Sequence, residues 1–299
     1  MALRFGNVLF EPLWRREHIA NIQIVLAESI GVGTRGDFYD RTGALRDMVQ
    51  NHALQLLTMV AMEPPSSSDA DAARDEKLKV LRSLKPFDEA SVARDVVRGQ
   101  YRAGTVDGQP VAAYLDEAKV PPGSRTETFV ALRTEVENWR WAGVPFYLRT
   151  GKRLAAGDVH IIVVFRPTPH SIFPGVNRPN RLVIKLQPED GLELHLQAAK
   201  GSRQGESLVP VFLDLDFDDV FPTDRVGAYE RLLLDAIGGR LNLFVRSDEQ
   251  EQAWRWVEPI LHAWANDPAG PRSYAAGTWG PAAASALIAR DGFAWTEEQ

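Results

Sequence analysis

Five strand-like segments lie between Thr128 and Phe217, joined by connections too short for helical crossovers, and this constrains the fold more than any other feature of the chain. The segments are Thr128–Trp141, Val159–Phe165, Arg181–Gln187, Leu192–Ala198 and Val209–Phe217. Each is rich in β-branched, aromatic and aliphatic residues, as strands are. Strands that follow one another without crossovers pair antiparallel. Leu192, Leu194 and Leu196 alternate with Glu193, His195 and Gln197, so one face of this sheet is wet or functional. A further strand is read at His18–Glu28, HIANIQIVLAE.

Helical patterns gather toward the two ends. Residues 1–14 read as a short helix, and Gly43–Met62 as a long run without internal Gly or Pro. From Ala53 onward that run is apolar nearly all round, which marks a buried helix. Pro64-Pro65 end it, and a charged amphipathic helix follows at Asp69–Leu84. Residues 86–122 read as irregular. Helices return at Gly227–Gly238 and from Ser247 to Ala265, with Ser247 to Gln250 as an N-cap region, and the tail 267–299 is rich in Ala, Gly and Pro. Clustered strands with helices segregated to the ends define an α+β fold. The expectation is a large, mostly antiparallel sheet with helices packed on it, including a buried central helix, in one unit over residues 1–299.

A net charge of −6 gives no reason to expect a nucleic-acid partner. The chain has no cysteine, which excludes disulfides and thiolate metal sites and fits a reducing compartment. No metal site is expected. No apolar stretch approaches the roughly 18 residues of a membrane span, and Met1–Phe5 lacks the apolar core of a signal peptide. A cytoplasmic protein without a membrane partner is the expectation.

Gly31-Val32-Gly33-Thr34-Arg35-Gly36 matches the glycine pattern of a dinucleotide-binding loop, after a strand and before a helix. Three details argue for a plain loop. The helix is expected near Gly43, so Asp37 to Thr42 separate it from the glycines, whereas a pyrophosphate sits on a helix that starts inside them. No second parallel strand with a ribose-binding acid follows. The remaining strands have antiparallel character.

The stretch Arg35–Met62, RGDFYDRTGALRDMVQNHALQLLTMVAM, closely resembles the central signature of glucose-6-phosphate dehydrogenases. The likeness continues through Glu63–Pro65, Arg74–Leu84, Gly99–Tyr101, Gly143–Leu154 (GVPFYLRTGKRL), Tyr229–Ile237 and Phe244–Leu261, and it includes the opening Arg4–Trp14. Collinear blocks over residues 4 to 262 are far more specific than any one of them. The resemblance implies the β+α part of the family's fold, which binds the sugar and forms a homodimer. It places the Rossmann domain that binds NADP or NAD upstream, together with the Asp-His-Tyr-Leu-Gly-Lys motif that holds the substrate phosphate. This chain contains neither, as a fragment or as a naturally short homologue, and alone it is expected to be inactive. A non-catalytic homologue acting as an oligomerisation or binding module is the competing reading.

The family oxidises glucose 6-phosphate at C1 to the lactone, and the step needs a base that titrates near neutrality, as imidazole does at about 6.5. His52 matches the family's general base. On an α-helical wheel it falls beside Leu45, Met48, Val49, Leu56 and Val60, so without the motif it reads as a core histidine. Asp47 matches a sugar-contacting acid. It lies five residues earlier, about 140° round an α-helix, and outside the motif it reads as a carboxylate favoured at a helix N-terminus. Glu28 at the strand end and Lys152 in Arg149-Thr150-Gly151-Lys152 match further substrate positions, and Gln187 matches a sheet residue near the substrate. Outside the motif, these three read as solvated side chains. The family often carries a second cation five positions after the lysine, where this chain has Gly157, leaving Arg153 as a candidate substitute. Arg149 and Lys185 are candidates for a second, structural NADP site that the resemblance implies for some members.

Overall fold

The computed structural model describes residues 1–173, 178–202, 205–220, 227–241 and 244–298. Strands in chain order are β1 (Ile19–Ala27), β2 (Val96–Arg102), β3 (Gly104–Val106), β4 (Gln109–Val111), β5 (Phe129–Glu135), β6 (Pro145–Gly151), β7 (Asp158–Phe165), β8 (Arg181–Gln187), β9 (Gly191–Ser202), β10 (Gly205–Asp216) and β11 (Arg272–Ala275). Helices are α1 (Ala2–Phe5), α2 (Gly36–Ala44), α3 (Leu54–Ala61), α4 (Ala70–Arg82), α5 (Glu89–Asp95), α6 (Phe217–Val220), α7 (Ala228–Ile237), α8 (Ser247–Asn266) and α9 (Ala282–Ala289). A π-helix, Leu45–Ala53, lies between α2 and α3.

Among the described residues, nine strands form one sheet in the order β10-β9-β8-β7-β1-β6-β5-β2-β11. The α+β expectation holds, and most pairings are antiparallel. Two are not: β1 runs parallel to β6, and β11 parallel to β2. Three strands of the sheet fall where none was expected, β2 inside the supposedly irregular 86–122 stretch, β6 between two expected strands, and β11 in the tail, and the 86–122 stretch also holds the β3–β4 hairpin. The tail also forms α9, which packs on β2 and β5.

The central strands are covered on both faces, so β6 is buried at every position. One face carries the larger core, where Leu45, Val49, Ala53, Leu54 and Leu57 of the helical run meet Ile22, Ile24, Leu26, Val130 and Leu148. The other face packs Val25, Ala131 and Tyr147 against Tyr274, Leu287 and Trp295. The final segment closes over this second face. The Trp295 indole N–H donates to the Ala284 carbonyl at 3.0 Å, the Arg149 guanidinium lies 4.3 Å from the Trp295 ring centroid, and Glu297 meets Arg149 at 2.7 Å and His160 at 2.8 Å.

The helical run departs from expectation in two ways. It starts at Gly36 rather than near Gly43, because Gly43 adopts φ +72° and breaks the run internally instead of beginning it. Beyond the break the chain continues as the π-helix rather than an α-helix. The opening residues 1–14 hold only α1 and a 3-10 turn at Glu11–Leu13.

Candidate functional site

The parallel pair β1–β6 sends both carboxyl ends to the same edge of the sheet, and each strand is followed there by an ionisable residue. Glu28 follows Ala27, and Lys152 follows Gly151, its register partner. Lys152 is only 2% exposed, so its ammonium needs a partner. It donates to Glu28 Oε2 at 2.7 Å and lies 5.1 Å from the Tyr39 ring centroid, within cation–π range. Its backbone is held too: the amide donates to the Thr128 carbonyl at 2.9 Å, and its carbonyl accepts from the Tyr274 hydroxyl at 2.6 Å.

The π-helix lies across β1, β6 and β5 and carries Asp47 and His52. Its hydrogen bonds run between residues five apart, so residue i+5 stacks above residue i. Asp47 and His52 are five apart and therefore lie one turn above the other on one side, where the α-helical wheel separates them by about 140°. The same change of period corrects the burial expected for His52. Leu45, Val49, Gln50 and Ala53 face the core, while His52 is exposed. The ring is not sealed in hydrocarbon.

Tyr39 links the groups. Burial pushes its phenol well above the ordinary value, and repulsion from Glu127, Asp47 and Glu28 adds to the effect. Two of the expected site carboxylates thus lie within electrostatic reach of the ring beneath Lys152. Glu28 and Lys152 meet at one edge of the sheet, Asp47 acts electrostatically on the same Tyr39 ring, and His52 lies one helical turn from Asp47. Gln187 ends β8 on the same edge, opposite Val159, itself opposite Leu26. That places it two strands from Glu28, about 10 Å along the sheet, exposed and apart from the cluster. Arg153 does not take the place of the cation absent at Gly157: at φ +53° it turns its guanidinium to Glu117, 3.6 Å away.

Sequence reasoning missed Tyr39, Glu127 and Tyr274. Glu127 is buried. Its Oε1 accepts from the Leu45 amide at 3.0 Å, and burial holds its carboxyl above the ordinary value despite that bond. A lone Gly43 opening a helical run was the available signal, since positive φ there demands a glycine and leaves helix amides seeking an outside acceptor.

The loop Gly31–Gly36 does not offer a dinucleotide cradle. Because α2 starts at Gly36, the first argument against the motif fails, but packing replaces it. A Cβ on Gly36 would lie 2.1 Å from the Ala118 carbonyl oxygen, and one on Gly31 would lie 2.5 Å from Glu117 Oε1 and 2.6 Å from Arg153 Nε. The glycines admit the chain's own residues 117–120 and Arg153. The next elements after α2 are helices, and no strand comes before β2. Arg149 and Lys185 are likewise matched by carboxylates of this chain, Arg149 by Glu297, and Lys185 by Glu193 and by Asp214 at 3.2 Å. Among the described residues, no group of three or more His, Asp or Glu is placed to hold a metal ion, and no helix is long and apolar enough to cross a membrane.

An α+β domain with a carboxylate–ammonium pair at the carboxyl ends of two parallel strands is the class that fold and site define. Residues 1–296 match the family model described as glucose-6-phosphate dehydrogenase, C-terminal domain. The chain is 52% identical to the glucose-6-phosphate 1-dehydrogenase of Rhizobium meliloti, with 99% of this chain and 61% of that protein aligned. It is 50% identical to the enzyme of that name from Mycolicibacterium smegmatis, over 99% and 60%. Among solved structures, glucose-6-phosphate 1-dehydrogenase from Mycobacterium avium superposes with a TM-score of 0.84 at 40% identity, covering 99% of this chain and 60% of that one. A glucose-6-phosphate dehydrogenase in complex with glucose 6-phosphate superposes with a TM-score of 0.88 at 34% identity, again over 99% and 60%. The chain belongs to the glucose-6-phosphate dehydrogenase family, in which it corresponds to the C-terminal domain, and it spans about three fifths of the length of the curated relatives it matches.

Proposed function

We propose that this chain is the glucose 6-phosphate-binding part of a dehydrogenase that oxidises the sugar at C1 to 6-phosphogluconolactone, the entry step of the pentose phosphate pathway, with NADP as hydride acceptor in the cytoplasm. The observation that carries the reading is the ion pair of Lys152 with Glu28 over the Tyr39 ring, a ring that Asp47 also influences electrostatically, with an exposed His52 one turn beyond Asp47. Oxidation removes a hydride from C1 and a proton from O1. This chain's share is the proton and the grip on the sugar. His52 accepts the O1 proton, Asp47 and Glu28 accept hydrogen bonds from sugar hydroxyls, and Lys152 donates to sugar or phosphate oxygens. Gln187 borders the ligand from farther along the edge. The loop Gly31–Gly36 does not fit the coenzyme.

A second copy of the chain is the proposed protein partner. At one end of the sheet β10 presents Phe212 (62% exposed) and Leu213 (63%), and nearby in sequence α7 presents Leu233 (64%) and Ile237 (84%). An apolar edge strand left open is an association surface.

Calorimetric titration of the chain with glucose 6-phosphate tests the reading. Binding is expected, and Lys152→Met should weaken it at least tenfold, by about 1.4 kcal/mol or more. Undiminished binding by Lys152→Met, or none by the unaltered chain, would remove the sugar reading. The unaltered chain is expected to show no NADP-linked oxidation by itself.

A further inference from the structure

We infer that the dipeptide Glu127-Thr128 is a yoke that fixes the two halves of the proposed sugar site relative to each other, with Glu127 the positioning residue for Asp47 and His52; the inference builds on the sugar-binding reading above. The half-sites come from distant parts of the chain. Asp47 and His52 ride on the π-helix, whereas Lys152 follows β6. Each is tied to one residue of the same dipeptide.

On the helix side, Gly43 at φ +72° interrupts the run, and the amides of Ala44 and Leu45 begin a new one. Both turn to Glu127. Ala44 N–H donates to its main-chain carbonyl at 3.0 Å, and Leu45 N–H donates to its Oε1 at 3.0 Å. A carboxylate is a favourable acceptor at the positive end of a helix. These two bonds set where the π-helix starts and how it is rotated about its axis. Rotation decides which residues turn away from the core, and a helix that aligns residues five apart presents Asp47 and His52 together only in this setting. The fit is close: a Cβ on Gly43 would lie 2.4 Å from Glu127 Oε1.

On the lysine side, the Thr128 carbonyl accepts the Lys152 amide at 2.9 Å. The Thr128 hydroxyl lies 3.0 Å from the Tyr274 hydroxyl, which donates to the Lys152 carbonyl at 2.6 Å. Thr128 is itself held in the sheet by its amide bond to the Gly99 carbonyl at 2.8 Å. A planar peptide joins residue 127 to residue 128, so the helix start and the Lys152 backbone cannot move independently. Tyr39 closes the arrangement, with its ring under the Lys152 ammonium and its hydroxyl 3.5 Å from the Glu127 carbonyl. Glu127 is 6% exposed and acts on a ligand only through the helix it caps.

The test compares Glu127→Ala and Glu127→Gln in this chain, with Leu84→Ala as a destabilised control in the core away from the proposed site. Amide hydrogen exchange over residues 44–53 and calorimetric titration with glucose 6-phosphate are read for each. Glu127→Ala should exchange at least tenfold faster over 44–53 with β7 and β8 unchanged, and should lose at least tenfold in sugar affinity. Glu127→Gln keeps an acceptor oxygen and should stay within threefold on both counts. Leu84→Ala should melt earlier yet bind normally, which separates positioning from general stability. Should Glu127→Ala fail to fold, Gly43→Ala presses on the same carboxylate and is read the same way. Normal affinity in Glu127→Ala, or unchanged exchange over 44–53, overturns the yoke. If the unaltered chain takes up no glucose 6-phosphate, the sugar reading falls separately and the exchange result alone decides the yoke.

Discussion

Glu297→Gln should cost this chain about 3 kcal/mol of stability near pH 6, because Glu297 is the half-buried acidic end of a clasp that holds the last residues onto the sheet. Its carboxylate meets Arg149 at 2.7 Å and His160 at 2.8 Å, and His160 Nδ1 is bonded to Asp158 at 2.8 Å. Burial opposes both charges, but the contacts win. Glu297 falls from 4.5 to about 2, and His160 rises from 6.5 to about 9. Either displacement corresponds to about 3 kcal/mol at 1.36 kcal/mol per pH unit. They describe largely one interaction and are not additive. The signs fix the pH window. Glu297, depressed when folded, contributes fully above about pH 4.5 and loses its contribution as the pH falls through 2. His160, elevated when folded, contributes fully below about pH 6.5 and loses its contribution as the pH rises through 9. Lys185, opposite His160 on β8, is matched by its own carboxylates and leaves the window unchanged. Urea unfolding from pH 3 to 10 should therefore show the variant's deficit largest between about pH 4.5 and 6.5 and shrinking on both sides. Nuclear magnetic resonance should find the His160 ring still protonated at pH 8. A variant as stable as the parent at pH 6, or a His160 ring that titrates near 6.5, would refute the clasp.

Three further outcomes follow from particular contacts. Gly36→Ala should lose about 2 kcal/mol or more, since its Cβ would strike the Ala118 carbonyl oxygen at 2.1 Å, whereas Gly33→Ala has open space and pays only for φ +55°, about 1 kcal/mol; equal and small losses in thermal unfolding would argue against this packing. His52→Gln should change stability by less than about 0.5 kcal/mol because the ring is exposed, and a loss above about 2 kcal/mol in the same assay would put the ring in the core. Phe212→Asp combined with Ile237→Asp should convert dimers to monomers in size-exclusion chromatography with light scattering, while an unchanged mass would show that this face is not the interface.

Legibility in the sequence followed the local period. His18–Glu28 announced β1, Leu192–Ala198 lay within β9, and the charged stripe of Asp69–Leu84 gave α4 within two residues at either end. β6 did not announce itself. A strand covered on both faces shows no alternation, and PFYLRTG carries too few residues to separate it from a helix by burial alone. β2, VVRGQYR, was hidden among Gly and Pro signals because its place in the sheet depends on β5 and β11, distant in sequence. The parallel pairing of β1 with β6 is equally non-local, and it is what brings Glu28 and Lys152 to one edge.

The residues of the proposed sugar site could be named from the sequence but their arrangement could not, and the reason is the helical period. A wheel drawn for an α-helix puts His52 among Leu45, Val49 and Leu56, and separates it from Asp47. The π-helix reverses both results without changing a residue, because its alignment of residues five apart sends Leu45 and Val49 inward and leaves His52 outside. What restarts the helix after Gly43 is a carboxylate more than eighty residues later in the chain. No window short enough to show a period contains that information. The resemblance to a family could therefore name Asp47 and His52 as partners where their spacing argued against it, since inherited motifs carry the outcome of long-range contacts that local periodicity cannot express.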